Sequence, residues 1–589
     1  MSPTPTTSDG LSYRRADFAT LAEGLDYAAR GATGCNFYSA RGQLVATLPY
    51  RELRERAIAL ARGLIRAGFA PRSRIMLLAD TDPDVLALFF ACQYAGLIPV
   101  PAALPAGLGG REAYVAALAR QLKSCGAVAA MAPDALVDFL RDAAQQSGLA
   151  PMIGGPGEFA ALPGDGADLR PFGPDDPCYL QYSSGSTRWP LGIDVRQRSL
   201  MANAHAIATW GLEAAPGDRC VSWLPLYHDM GLVGFMLTPL LCQLSVDYLA
   251  TRDFARRPLV WLSLLSEHGG TLSYSPTFGY DLCARRADNG SYDFDLRRWR
   301  AAGIGGDMIE PRVPRRFAEV FAAHGFRASA FVPSYGMAEA TLAVSFSPLG
   351  RGLVVDTVDR HALAEERRAV PAGPDAEPGS ARGFVVCGPA LPGHMIEIRD
   401  DDGRVLPERR LGRIFVRGPS IANGYFGEPQ ASAEMFRDGW LDTGDLGYLV
   451  DGALAITGRR KDLIIVHGRN VWPQDLEWAV EQLPGLRRGD AAAFSLDEGP
   501  GGEGGESVVL LVQCRLTDPA ARAQLERDVK AVVQQTAAIE CKVVLVRPHG
   551  LPQTSSGKLS RSRARQNYLS GAYDPGAEAA RAKAGAAAS

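Results

Sequence analysis

Small hydroxylic residues crowded beside glycine are the first feature of this chain that could do chemistry. In Tyr179–Gly192, YLQYSSGSTRWPLG, a β-type run delivers the chain into Ser183, Ser184, Gly185, Ser186 and Thr187, followed by Arg188. Small residues let backbone N–H groups approach phosphate oxygens, and the hydroxyls add donors. An ordinary Ser/Gly turn has the same composition. No Gly-Lys-Ser/Thr follows, so the segment is not a Walker A loop. Nor is Leu551–Ser560, LPQTSSGKLS, where Pro552 occupies the place of the first glycine. That second segment does set a cation, Lys558, in a loop of small residues. Three more groups of reactive types lie between the two: WLPLYHDMGLVG (223–234), PSYGMAEATLAVS (333–345), and GWLDTGDLGYL (439–449) with TGRRKDLIIVHGRN (457–470).

Each of these residues also has an unremarkable reading. His228 is one of 8 histidines, and a lone histidine is more often structural than catalytic. With no second His or Cys at ligand spacing, it is not expected to bind a metal. Asp229 beside it reads as a loop-fixing hydrogen bonder. Asp445 next to Gly444 could be a turn residue, Glu339 a carboxylate at a helix start, Tyr335 a core aromatic, and Lys461 and Lys558 surface charges.

The elements that must hold these groups follow from periodicity. In the first half short β-rich runs alternate with helical patterns, as in Arg74–Ala79 followed by Asp84–Ala95, where Asp84 is expected to cap the helix. Such alternation predicts an α/β fold of parallel sheets covered by helices. Large apolar residues become sparse at Gly350–Gly383, which reads as an insertion or exposed excursion. Beyond Asp451 the pattern predicts a hairpin around Leu454–Val466, a helix from Pro473, a strand Val508–Leu516, a helix Asp518–Ala537 and a strand Lys542–Arg547. That is a small α+β domain. The tail from Gly571 is Ala/Gly-rich and expected to be disordered.

The chain has 589 residues, too many for one core, so two or three domains are expected. With 62 Lys plus Arg against 65 Asp plus Glu, the net charge of -3 gives no footprint for nucleic acid. Val85–Pro105 is the most apolar stretch, but Gly96, Pro99, Pro101 and Pro105 interrupt it, so no membrane span of ~20 residues is expected. Met1–Gly10 lacks the features of a secretory signal, which predicts a cytoplasmic protein. Ten cysteines without a C-x-x-C pair read as reduced, mostly buried thiols.

Taken in order, the five motif groups closely resemble the adenylate-forming superfamily of acyl-CoA synthetases, luciferases and peptide-synthetase adenylation domains, over roughly Tyr13–Tyr568. Two departures point within it to the fatty acyl-AMP ligase branch. Leu191 stands where most members carry the loop lysine, and Gly350–Gly383 falls where that branch has an insertion. The resemblance implies ATP-dependent conversion of a fatty acid to its acyl-adenylate with release of pyrophosphate. The acyl group would then pass to the phosphopantetheine of an acyl carrier protein acting in trans, since the tail has no Asp-Ser attachment site. ATP/AMP and Mg²⁺ are the implied cofactors.

Residue by residue, the resemblance assigns Lys558 to the carboxylate and α-phosphate and His228 to the reacting carboxylate. Ser183–Arg188 would hold phosphates, with Arg188 replacing the lost charge. Gly306, Asp307, Ser334, Tyr335, Gly336 and Met337 would surround adenine, although the branch usually has Gly-Ala-Glu where this chain has Gly305-Gly306-Asp307. Asp445 and Arg459 go to the ribose, Glu339 and Thr187 to Mg²⁺, and Lys461 to a hinge. The implied layout is an amino-terminal part, 1–457, containing a β-rich subdomain near 382–450 and the insertion at 350–383. A mobile small domain, 458–570, follows, and then the tail 571–589. A fatty acyl-CoA synthetase, an aryl or amino acid adenylating enzyme, and a non-catalytic nucleotide-binding relative are the alternatives.

Overall fold

The computed structural model describes the chain apart from residues 1–6, 8–9, 106–109, 184–189, 288–289, 291, 378, 467–468, 497–506, 555–556 and 575–589. The expected α/β alternation is present. Arg74–Leu78, Ile98–Ala102, Ala127–Met131 and Met152–Gly154 pair in parallel, with the first of them between the second and third. Helix Pro83–Ala95, which crosses between the first two strands, is apolar almost all round and buried accordingly. Its cap is Asp82, not Asp84. The Asp82 carboxylate accepts the Asp84 N–H, and Pro83 takes the first helical position, where a missing N–H costs nothing.

A second sheet of eight strands forms the main core. Its centre is parallel: Phe331–Gly336, Ala301–Ile304, Leu272–Ser275, Arg219–Ser222, Ser245–Leu249 and Gly34–Tyr38 lie side by side. Antiparallel strands Ala343–Phe346 and Leu44–Pro49 close its two edges. Pro177–Tyr182 and Gly192–Arg196 form a separate antiparallel pair at the base of the Ser/Gly loop. Nine of the ten cysteines are buried and all are free, as the sequence suggests.

The β-rich part is an antiparallel sheet of Met395–Arg399, Gly412–Arg417, Trp440–Val450, Phe436–Arg437 and Ala453–Arg459. The expected hairpin around Leu454–Val466 does not form. Ala453–Arg459 pairs back onto Trp440–Val450, and Ile464–Val466 pairs forward with Arg469–Val471. A β-branched run gives no hint of which neighbour it will join, and the turn-forming Asp451-Gly452 settles the first pairing. Beyond it, Ala491–Leu496, Ser507–Gln513 and Cys541–Val546 form the sheet of the small domain, backed by helices Pro473–Val480, Pro519–Ala537 and Arg561–Leu569. Asp518 caps the longest of these.

Residues 350–383 are more ordered than an exposed excursion. Val355–Asp359 pairs with Ala381–Val385, and a short helix, Arg360–Glu365, intervenes. Val358, Leu363 and Ala369 join Phe384, Tyr448 and Trp472 in a buried cluster. The few apolar residues of the segment are spent on docking it.

Candidate active site

Open parallel sheets leave crevices at the carboxyl ends of their strands, where loops depart and backbone groups are unpaired. Four strands of the main sheet end at one such crevice. Arg219–Ser222 runs into the loop of His228, Leu272–Ser275 into Thr277, and Ala301–Ile304 into Gly305-Gly306-Asp307, while Phe331–Gly336 carries Ser334, Tyr335 and Gly336 itself. Their side chains line a cavity of about 1990 Å³ that also takes in Glu339, Asp445, Arg459, Lys461 and Lys558. Thus residues from 181 to 558 in sequence meet in one space.

At one wall, cross-strand partners Asp445 and Arg459 face each other, with Arg459 Nε 3.5 Å from Asp445 Oδ1. The Tyr335 hydroxyl donates to Asp445 Oδ2 at 2.7 Å. Burial raises the Asp445 carboxyl above its usual range, opposed by the Arg459 charge and the Tyr335 hydrogen bond. Asp445 lies within strand Trp440–Val450 rather than in a free turn, although Gly444 beside it has φ +72°. Asp307, also on the cavity, accepts from Thr277 N at 3.2 Å and Thr277 Oγ1 at 2.8 Å. Its carboxylate is therefore partly committed to holding the loop.

Lys558 arrives from the small domain. Thr554 and Lys558 close a tight loop on each other: Thr554 N donates to Lys558 O at 2.7 Å, and Lys558 N donates to Thr554 Oγ1 at 3.2 Å. A Cβ built at Gly306 would lie 3.6 Å from the Lys558 ammonium, in van der Waals contact, so the loop at Gly306 and the Lys558 loop meet here. Gly306 also needs its left-handed φ of +78°. Burial lowers the Lys558 pKa, and the carboxylates of Asp307, Asp229 and Asp445 partly restore it. Lys461, at the junction, is lowered to about 8, chiefly by desolvation.

His228 Nδ1 lies 2.6 Å from Asp229 Oδ1 and 3.4 Å from Met230 N, so the imidazole is fixed at the start of the short helix Asp229–Leu232. The Asp229 carboxyl is raised by burial but lowered more by the His228 and Lys558 charges and by hydrogen bonds from His228 and Met230 N–H. The glycine of this motif is required: a Cβ at Gly231 would fall 2.2 Å from Pro225 O.

Glu339 sits in a short turn, Ala338–Ala340, buried, with Oε1 accepting from the Tyr425 hydroxyl at 2.9 Å. Desolvation raises its pKa. A buried carboxylate held on one oxygen beside a cavity fits a hard cation that brings phosphate oxygens and water with it. Among the described residues no cluster of three or more His, Cys, Asp or Glu could hold a metal alone.

Of the Ser/Gly loop, Ser183 is described. Its N–H donates to Leu191 O at 3.0 Å and its hydroxyl accepts from Leu191 N at 3.2 Å, closing the base of the loop. Ser184, Gly185, Ser186, Thr187 and Arg188 lie outside the described residues. Ser334, Tyr335, Gly336 and Met337 line the cavity. Sequence reasoning missed Tyr425 and Thr277, because nothing in their local sequence marks a hydroxyl as the partner of a distant carboxylate.

Away from the carboxylates the cavity walls become apolar: Ile207, Leu212, Phe235, Tyr274 and Phe346 line one part, Trp223, Phe254, Phe278 and Leu282 another. Trp223 and Phe254 stack with centroids 3.7 Å apart. This is room for a long hydrocarbon beside a nest of charged groups.

A family model described as "AMP-binding enzyme" matches residues 36–426. The chain belongs to that family. It is 52% identical over 576 residues to a putative acyl-CoA synthetase of Caulobacter vibrioides, covering 97% of this chain and 98% of the relative. It is 31% identical over 596 residues to the medium-chain-fatty-acid–[acyl-carrier-protein] ligase JamA of Moorena producens, covering 95% and 97%. A solved structure from a study of fatty acyl-adenylate ligases of E. coli and L. pneumophila superposes with TM-score 0.89 at 45% identity, covering 94% of this chain and 99% of that one. The resemblance carried by the five motif groups is borne out, and so is the α/β architecture. No helix among the described residues is long and apolar enough to cross a membrane.

Proposed function

We propose that the protein activates a fatty acid with ATP to the acyl-adenylate, releases pyrophosphate, and passes the acyl group to the phosphopantetheine thiol of a carrier protein. The supporting observation is the meeting, in one cavity with apolar walls, of Lys558 from the small domain with Gly306, Asp307 and Asp229 of the large one.

In this reading a carboxylate oxygen attacks the α-phosphorus and pyrophosphate leaves in line. The attack brings anions together, and Lys558 offsets their charge as it spreads over the transferring group, a contribution of ~3–4 kcal/mol. Its desolvation makes that charge more effective. Asp445, beside Arg459, accepts from the ribose hydroxyls, which are donors suited to an ionised carboxylate. Tyr335 orients Asp445 and offers its ring to adenine. His228, held by Asp229, stands beside the acid. The loop from Ser183 to Arg188 cradles phosphates. Glu339 and Thr187 would hold Mg²⁺ on the triphosphate, and the ion would neutralise the leaving pyrophosphate. The small domain closes over the mixed anhydride and keeps water away from it. In the second step the thiol sulfur attacks the acyl carbonyl and AMP leaves.

The name of the Caulobacter relative favours a second reading, in which the acceptor is CoA. The docked segment 350–383 argues for the carrier. Arg360 Nη1 donates to Thr536 O at 3.1 Å, Arg382 pairs with Asp475 at 2.9 Å, and Asn470 Nδ2 donates to Ala364 O at 3.2 Å. These bonds tie the segment to the small domain and restrain the swing about Lys461 that admits CoA. A cytoplasmic location accords with a soluble acyl carrier. Pyrophosphate release with and without fatty acid tests the proposal: release independent of fatty acid would rule it out.

A further inference from the structure

The loop that follows strand Ala301–Ile304 meets the small domain twice. Its start, Gly306 and Asp307, lies against Lys558. Three residues on, Glu310 reaches the small domain again: Arg488 Nη1 donates to Glu310 Oε2 at 2.9 Å, with 18% and 10% of the two side chains exposed. A pair so sheltered is screened little by solvent and loses much when one partner is removed. Both ends of it are prepared. On the large domain, Arg312 occupies the other oxygen, with Nε 2.9 Å from Glu310 Oε1, and so fixes the carboxylate plane. On the small domain, Glu481 Oε1 accepts from Gly489 N at 2.7 Å and Ala491 N at 3.4 Å, and Asp490 accepts from Arg487 N at 2.8 Å. These bonds set the turn that presents Arg488.

We infer that Arg488 and Glu310 form a latch that registers the small domain in the orientation where Lys558 reaches the reacting carboxylate and α-phosphate. Neither residue touches the reacting atoms; both act by positioning Lys558. The inference rests on the proposed two-step reaction, and it assigns the latch to the first step. One loop then serves as a common reference for the reaction centre and for domain closure, so an error in closure appears directly as a misplaced lysine. A misplacement of about 1 Å is enough to cost on the order of 10²-fold in rate.

The test is a double-mutant cycle. Arg488→Ala and Glu310→Ala each lower fatty-acid-dependent pyrophosphate release about 10- to 100-fold through kcat, and the double variant is no slower than the slower single. Transfer from purified acyl-adenylate to a pantetheine thiol stays within about twofold of wild type, a separation that general destabilisation would not produce. Arg488→Lys restores much of the first step. Equal losses in both steps, additive losses, or an unaltered first step would overturn the latch. Trypsin cleavage at Arg459–Lys461 provides a reading that needs no activity. Arg488→Ala speeds it several-fold if the latch holds the domains, and an unchanged rate refutes the latch even in a protein that proves inactive on fatty acids. Absent pyrophosphate release by wild type, with faster cleavage in the variant, removes the proposed function and leaves the latch.

Discussion

In the proposed reaction Lys558 offsets the charge that gathers at the α-phosphate. Its pKa is lowered by burial and held up by three carboxylates, so it is a cation kept in reserve where anions are to meet. Lys558→Ala is expected to slow adenylate formation at least 100-fold, about 2.7 kcal/mol, while ATP affinity changes only a few fold. Single-turnover adenylation and equilibrium nucleotide binding separate the two effects; a loss below tenfold contradicts the role. Glu339→Gln removes a charge from the cavity wall proposed to hold Mg²⁺ but keeps an acceptor for Tyr425. It should raise the Mg²⁺ needed for half-maximal turnover by roughly tenfold, with partial rescue at high Mg²⁺. Normal rates at submillimolar Mg²⁺ would take Glu339 out of the metal site. These residues were legible because motif order carries them. Their supporting partners, Thr277 on Asp307 and Tyr425 on Glu339, were not, since each pair is far apart in sequence and closes only when the strands align.

At the scale of elements, the strand and helix types followed from periodicity, whereas pairing and caps did not. The pattern offers Asp84 as the cap, but Pro83 takes the first helical position and the cap falls to Asp82, two residues earlier. Segment 350–383 reads as surface by composition, yet Val358, Leu363 and Ala369 complete the cluster around Tyr448 and Trp472. Removing Val355–Ala372 would therefore open a core. The cleaner probe is Arg360→Ala, which breaks the bond to Thr536 O and the 3.6 Å pairing with Asp475. If the segment restrains the small domain, adenylation is kept within about twofold and acyl-CoA formation rises several-fold; no gain removes this role alone. A second element test uses Glu481, whose carboxyl is pushed up to about 8 by desolvation and the nearby Glu477 charge, against Arg488 and the N–H groups of Gly489 and Ala491. The folded state holds a proton that the unfolded chain releases above the ordinary glutamate range. Stability should thus be full below that range and fall as pH rises towards about 8, by the order of 1 kcal/mol per unit. Glu481→Gln keeps an acceptor oxygen and should flatten the decline in melting temperature between pH 5 and 8. Parallel curves for the two proteins would contradict the assignment.

For the whole molecule, the motif order leads one to expect residues from distant parts of the chain to share one site. The apposition of the small domain to the loop at Gly306–Glu310 came only with the structure. That apposition explains why charges from residues so far apart in the chain meet. The cavity they enclose joins this charged centre to apolar walls. Mass spectrometry of the protein incubated with ATP, Mg²⁺ and a mixture of fatty acids tests this most directly. A fatty acyl-adenylate retained by the protein, absent without ATP and lost in Lys558→Ala, is the predicted result; adenylates of amino or aryl acids alone, or none from any acid, would contradict it.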